Sequence, residues 1–326
     1  MIPMRILILH SDVPEDAPPD EQDTLLQAAA IESALKRLGH TTSRAVFSPD
    51  AAALDSLIQR EVPDAVFNLV ESVWGSDHFA PLAPAMLSDL AVPFTGVASA
   101  AMAACGDKIF TKRILKGARL PTPAWSEPPH WKGTLKGKWI VKSVTEDASF
   151  GLDDGAVAEG REKVVARAQS CAARHGGRWF AERFIDGREF NVAIIERGGA
   201  PEVLPIGEMM FEQWDEARPR IVGYDAKWNA DTPEYRDTAR VFDWHKNEPD
   251  LNRKLEELAK ECWSLFGLSG YARVDFRADA EGRPFILEVN PNPCLEPDAG
   301  FAAAAMTVGL SYDDLIAAIL RAAVEH

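Results

Sequence analysis

Little in this sequence supports the commonest kinds of site. Its four cysteines, Cys105, Cys171, Cys262 and Cys294, stand far apart with no C-x-x-C spacing. That excludes a thiolate zinc site and a disulfide framework, and it suits a reducing cytosol. Long apolar runs are missing: no window approaches the roughly 20 residues of a membrane span. The apolar run between Met1 and His10 is too short for a secretory signal and is followed at once by Asp12 and Glu15. Positive charge is short, with 35 basic against 50 acidic residues and a net charge of −15, which argues against nucleic acid or an anionic membrane as partner. Any polyanion must therefore be held in a local basic pocket. No G-x-G-x-x-G follows the first strand and no G-x-x-x-x-G-K-[ST] occurs, so neither a dinucleotide dehydrogenase nor a P-loop enzyme is supported. The seven histidines show no metal-ligand spacing, and no Ser/His/Asp or Cys/His constellation offers a nucleophile. His10, at the end of the first strand, reads as a bystander. A soluble, cytoplasmic protein is expected.

What is present is an ordinary globular composition, 46% apolar and 26% charged over 326 residues, too long for one core and enough for two or three lobes. The first third alternates strand and helix: strands at Arg5 to Leu9, Thr41 to Phe47 and Ala65 to Leu69, helices at Asp20 to Leu38 and Ala51 to Glu61. Leu25, Ala28, Ile31, Leu35 and Leu38 trace one face of the first helix, which Gly39 ends. This order predicts a small doubly wound parallel sheet with ligands beyond its strand C-termini. A helix follows at Asp107 to Lys116, broken by Leu120-Pro-Thr-Pro123. Strands are predicted at Trp139 to Val144, Trp179 to Phe184 and Glu189 to Ile195, and helices at Arg161 to Ala173 and Leu251 to Leu265. The polar stretch from Gly207 to Arg240 reads as a mobile loop over a site. The tail from Ala299 to Val324 reads as helical, broken near Gly309.

The most informative stretch is Tyr271 to Arg277, a turn, then Pro284 to Asn290. It reads as a hairpin with Gly282 in the turn. Ala272, Val274 and Phe276 alternate with Arg273, Asp275 and Arg277. Phe285, Leu287 and Val289 alternate with Glu288 and Asn290. If the apolar faces share a core, Arg273, Asp275, Glu288 and Asn290 meet on the other side. Two carboxylates and an amide oxygen are the hard oxygen set that suits Mg²⁺ on nucleotide phosphates, and the arginine offers a fixed positive fork to a developing oxyanion. Lys142 interrupts an apolar strand, where an anion such as an ATP phosphate would offset its burial; a strand-edge lysine reaching solvent is the competing reading. Ala148-Ser149-Phe150-Gly151 has the small residues that let backbone N–H groups approach phosphate, though a plain turn also accounts for it.

These motifs, in this order, resemble the ATP-grasp ligases, and within them the D-alanine–D-alanine ligases, over nearly the whole chain. Arg273-Val-Asp-Phe276 with Glu288-Val-Asn290 matches the metal and oxyanion strands. Ile140-Val-Lys142 and Glu146-Asp-Ala-Ser-Phe-Gly151 match the phosphate lysine and its loop. Ala181 to Glu189 matches the nucleotide-base strand, Asp107-Lys108 the second phosphate lysine, Tyr224-Asp-Ala-Lys-Trp228 the mobile loop, and Gly309-Leu-Ser-Tyr312 the C-terminal helix. The resemblance implies an α/β (α+β) ATP-grasp fold of three lobes, 1–98, 99–185 and 186–326, with ATP between the last two. It implies metal ligation of two Mg²⁺, replaceable by Mn²⁺, by Asp275, Glu288 and Asn290. It places nucleotide contacts at Lys108, Lys142, Ser149, Glu182, Ile185 and Glu189, with adenine at Ile185 and ribose at Glu189. Catalytic roles fall to Arg273 and Lys227. On their own, Lys108 and Lys227 would read as solvated lysines.

The implied activity is an ATP-dependent carboxylate–amine ligase working through an acyl phosphate on amino acids or peptides, possible as a homodimer. The alternatives are a true D-alanine–D-alanine ligase and a non-catalytic nucleotide-binding protein. The substrate half departs from the resembled pattern. His10 to Asp16 stands where that family carries G-G-x-S-x-E-R-E, Phe67 to Asp77 where it carries H-G-x-x-G-E-D-G, and Ala299-Gly300 where it carries a Ser-Leu pair. D-alanine is therefore expected to be a poor substrate or none.

Overall fold

Arg5–His10 (β1), Thr41–Val46 (β2) and Ala65–Leu69 (β3) pair in parallel in the order β2-β1-β3, in a computed structural model that describes residues 2–215 and 218–325. Two helices make the crossovers: Pro19–Arg37 (α1), and Ala51–Glu61 (α2), whose first turn is capped by Asp50 accepting from the Ala53 N–H. The expected apolar face of α1 holds from Ala28 onward, through Ile31 and Leu35. Leu25 is 38% exposed instead, while Asp23, Thr24 and Gln27 are buried. The first turns of α1 lie over a cavity rather than the core, so its inward face there is polar. Leu82–Asp89 (α3), Ser99–Gly106 (α4) and Lys108–Gly117 (α5) follow. Asp107 caps α5 through the Phe110 N–H and so places Lys108 at its first position.

The second sheet contains Trp125–Ser126 (β4), Lys138–Ser143 (β5), Val157–Glu159 (β6) and Trp179–Arg183 (β7), all antiparallel in the order β4-β7-β5-β6. Alternation decides its two faces. Trp139, Val141, Trp179 and Ala181 pack on Val164, Ala168 and Cys171 of helix Arg161–His175 (α6). Lys142 and Glu182 therefore project from the opposite face.

The third sheet runs β11-β10-β8-β12-β13, with β9 also paired to β8: Arg188–Arg197 (β8), Ala200–Val203 (β9), Gly207–Phe211 (β10), Thr238–Val241 (β11), Tyr271–Ala278 (β12) and Pro284–Asn290 (β13). Phe190, Val192, Val274 and Phe276 pack on Leu255, Ala259 and Cys262 of helix Pro249–Phe266, numbered below as α9. The predicted loop from Gly207 to Arg240 includes Glu216 and Ala217, which lie outside the described residues. The rest of it holds β10, most of β11 and two short helices, Tyr224–Trp228 (α7) and Pro233–Arg236 (α8), joined by turns and irregular chain. The strands escape a hydrophobicity reading because Glu208 and Arg240 point inward beside the apolar Met209 and Val241. Glu208 is buried in a two-pronged ion pair with Arg188, at 2.6 and 2.8 Å. Helices Gly300–Thr307 (α10) and Tyr312–Val324 (α11) close the chain, and their Phe301, Ala305, Ile316 and Ile319 share a core with Ile6, Ile8 and Phe67. No single described helix is long and apolar enough to cross a membrane. The pair α10 and α11 passes that test together, bent by 105°.

Candidate active site

The β12–β13 hairpin sets the site by register. Arg273 lies opposite Asn290 and Asp275 opposite Glu288, so the four predicted side chains do share a face. The alternation of β13 does not hold throughout. The register slips by one residue after Asp275, which leaves Leu287 without a partner. Ile286 and Val289 enter the core, whereas Leu287, expected there, lines the cavity beside Glu288, and Phe285 is half-buried. Across β12, Asp275 faces Asn191 and Arg277 faces Glu189 of β8. A cavity of about 1450 Å³ lies between this hairpin, the second sheet and the first turns of α1. Lys108, Lys142, Ser149, Glu182, Ile185, Glu189, Lys227, Arg273, Asp275, Glu288 and Asn290 all line it. His10 is buried behind the wall, its ring bonded to the Ser11 carbonyl.

One end of this cavity is a lattice of paired charges. Lys108 donates to Asp147 at 2.6 Å and to the Glu146 carbonyl at 3.0 Å. Although burial disfavours its charge, Asp147 and Glu288 more than compensate and hold its pKa above the usual lysine range. Lys142 donates to Glu182 at 3.1 Å. Glu182, expected at the nucleotide base, is 1% exposed and is also ion-paired to Lys112, which is wholly buried. The Glu182 carboxylate thus holds lysines in place. Arg273 grips both oxygens of Asp275 at 2.8 Å, and Asn191 donates to Oδ1 at 2.8 Å. Glu189 accepts from Arg277 at 3.0 Å, and that guanidinium lies over the Phe184 ring.

Burial would raise the Glu288 pKa, but Lys108, Lys142, Arg273 and Lys227 hold it down to about 2. Lys227 is reached by the water of the cavity. The donor set fits a hard divalent cation: the oxygens are carboxylate and amide, and Glu288 accepts no hydrogen bond among the described residues. Asp275 must share its oxygens with Arg273 if it is to ligate.

Ala148, Ser149 and Gly151 have φ of 54°, 61° and 67°, a tight loop of small residues in which the Phe150 and Leu152 N–H groups donate to the Asp147 and Ser149 carbonyls at 2.9 Å. Neighbouring chain holds this loop. Ser149 Oγ donates to the Val222 carbonyl at 2.7 Å, Trp228 Nε1 to the Ala148 carbonyl at 3.1 Å, and Tyr224 N to the Leu152 carbonyl at 3.0 Å. Tyr224 also reaches Asp20 of α1 at 2.7 Å.

The opposite end is acidic. Burial first, then Asp23, pushes Glu71 up to about 8, and burial, then Asp23 and Asp298, does the same to Glu296; Asp77, raised to about 8 by burial and then Asp147 and Glu146, belongs to the phosphate end, where it accepts from the Asp147 N–H at 2.9 Å. The sequence reading missed these residues, together with Lys112, Arg277, Asn191 and Arg240. Lys112 had a signal: it falls on the buried face of α5 with Ile109 and Leu115.

The D-ala D-ala ligase C-terminus family model matches residues 127–321. The uncharacterized protein y4sG of Sinorhizobium fredii is 31% identical over 91% of this chain and 87% of its own length. The D-alanine–D-alanine ligase of Aquifex aeolicus is 28% identical over 97% and 100%. The crystal structure of the D-alanine–D-alanine ligase from Bacillus anthracis complexed with ATP superposes with a TM-score of 0.76, covering 99% of this chain and 98% of that one at 18% identity, which shows the shared ATP-grasp fold. A family model over residues 127–321 and a relative at 31% identity along most of both chains leave one assignment: the chain belongs to the D-ala D-ala ligase C-terminus family.

Proposed function

We propose that this ATP-grasp ligase joins the carboxylate of one small amino acid or peptide to the amine of another, at the expense of ATP. The observation that carries this reading is the two-ended cavity: four cations around Glu288 at one end, and Glu71 and Glu296 at the other. The first end suits phosphates and the second an ammonium group. The donor carboxylate attacks the γ-phosphorus of ATP and ADP leaves with the electrons of the broken P–O bond. The amine then attacks the acyl carbon, a proton passes to water, and phosphate departs from the tetrahedral species. No protein nucleophile is required, so the task is positioning and charge compensation.

Lys108 and Lys142 bind phosphate oxygens from their anchored positions, and the Ser149 loop offers its N–H groups. Ile185 and the apolar wall at Ile140, Phe184 and Leu287 accept the adenine, with Glu189 near the ribose. Arg273 faces the oxyanion, and Lys227, exposed on the cavity wall, neutralises the transferring phosphoryl group. Asp275, Glu288 and Asn290 would hold two Mg²⁺, or Mn²⁺ in their place; bound there, the cation supplies Lewis-acid neutralisation of phosphate charge. The same reading divides the chain into 1–98, 99–185 and 186–326, acting in the cytoplasm as a homodimer.

D-alanine is a poor fit, because Ala299 and Gly300 give no hydroxyl to a carboxylate. Losing one such hydrogen bond costs about 1.5–3 kcal/mol. The test is ATP, Mg²⁺ and a panel of amino acids and short peptides including D-alanine, read as phosphate release and as amide product by mass. Amine-dependent release with partners larger than alanine is expected. Absence of release across the panel would overturn the ligase reading, and efficient D-alanyl-D-alanine synthesis would overturn the substrate part.

A further inference from the structure

Arg240 has no counterpart in the network of paired cations. It sits on β11, opposite Met209 of β10, and its side chain passes between two glycines. A Cβ on Gly207 would lie 2.9 Å from Arg240 Cδ, and a Cβ on Gly300 would lie 2.9 Å from its Cζ and 3.0 Å from Nε and Nη2. Any larger residue at either position would have to displace the arginine. The guanidinium thus lies in a slot that two glycines leave open, on the cavity wall.

Lys108, Lys142, Arg273 and Arg277 each have a carboxylate partner. Among the described residues Arg240 has no ion pair and no hydrogen-bond acceptor, and its Nε is sealed from water. Burial, then Arg273, works against its charge; Asp275, Cys294 and Asp298 only partly compensate. Burial, then Arg273, works against the charge of Lys227 as well, but Lys227 is exposed to the water of the cavity on α7, whereas the Nε of Arg240 is sealed in its slot. A second feature points the same way. Gly300 begins α10, whose N-cap, Ala299, has no side-chain acceptor, so the first N–H groups of the helix lack intrahelical partners where the guanidinium rests. A planar cationic fork beside a bare helix N-terminus matches a carboxylate in shape and charge.

We propose that Arg240 binds the free carboxylate of the amine substrate, and so restricts that substrate to amino acids or peptides with an intact carboxylate. This rests on the ligase reading above, and its test separates the two. The first measurement needs no substrate. Arg240→Met removes an unpaired buried charge at similar length, so the thermal midpoint of the ligand-free protein should rise by about 2–4 °C. A fall of several degrees would show that Arg240 is structurally satisfied and overturn the proposal, whatever the protein catalyses.

The second measurement uses the best amine substrate from the panel and its C-terminal amide. The unmodified protein should prefer the free acid by a hundredfold or more in kcat/KM. Arg240→Ala should cut that preference below about tenfold, through KM for the amine substrate and with KM for ATP unchanged, and Arg240→Lys should restore part of it. An unchanged preference would overturn the proposal, as would a rise confined to KM for ATP, which would assign Arg240 to a phosphate.

Discussion

The two ends of the cavity are built on opposite plans. At the phosphate end the cations of α5, the second sheet and the β12 strand are tied to carboxylates before any ligand arrives: Lys108 to Asp147, Lys142 to Glu182, Arg273 to Asp275. At the other end acids crowd against acids, and Arg240 forms no ion pair among the described residues, with Asp275 and Asp298 only partly offsetting its burial. A preassembled lattice keeps its geometry through many turnovers and accepts the one nucleotide it fits. An end left electrostatically unfinished is completed by whichever substrate supplies the missing charges. This is where a family can change substrates without rebuilding its phosphate chemistry.

The contrast breaks most severely at Glu288, where four cations meet. Glu288→Gln keeps size and loses charge, so turnover should fall at least a hundredfold, about 2.7 kcal/mol of barrier, with the unfolding transition intact. Retention of more than about a tenth of kcat would refute the metal assignment. A finer cut separates ground-state from transition-state contacts. Lys142→Ala should raise KM for ATP as well as lower kcat, each about tenfold, whereas Arg273→Ala should depress kcat alone. Nucleotide titration of both variants decides this, and unaltered ATP affinity in Lys142→Ala would remove its phosphate role.

The smallest effect probes the acidic end. Glu71 has a folded pKa near 8 against an unfolded value near 4.5, so the folded protein binds the extra proton between them. Its contribution to stability is therefore full below about pH 4.5 and lost as pH rises through 8. Glu71→Gln should flatten the midpoint–pH curve over that window, and identical curves would show that Glu71 is already compensated.

Much of this was legible in the sequence, for identifiable reasons. The hairpin was readable because its apolar residues alternate strictly along β12, which fixes the facing of Arg273 and Asp275. The first sheet was readable because β1 and β3 are near-continuous apolar runs and the polar β2 lies between two helices. Three features were not. The slip at Leu287 has no local signature, since Phe-Ile-Leu fits either facing. Strands β10 and β11 hide because Glu208 and Arg240 point inward to ion pairs and cavity. Arg240 itself looks like any surface arginine until Gly207 and Gly300, one 33 residues before it and the other 60 after it in the sequence, are found on either side.

The unpaired Leu287 gives β13 a seam with consequences for how this chain tolerates changes in length. Before the seam, Pro284 to Ile286 keep the register of the core; after it, Glu288 to Asn290 keep the register of the site. Removing a residue from the exposed turn at 279–283 only shortens a loop. Removing Leu287 would join Ile286, which faces Phe276, directly to Glu288, which faces Asp275, so the two registers would merge into one regular ladder with Ile286 still in the core and Glu288 and Asn290 still on the site face. What such a deletion would remove is the extra residue's local bend in the strand and the apolar side chain that Leu287 places on the cavity wall, so at this point in the chain a change of length acts on the shape of the site rather than on the facing of its neighbours.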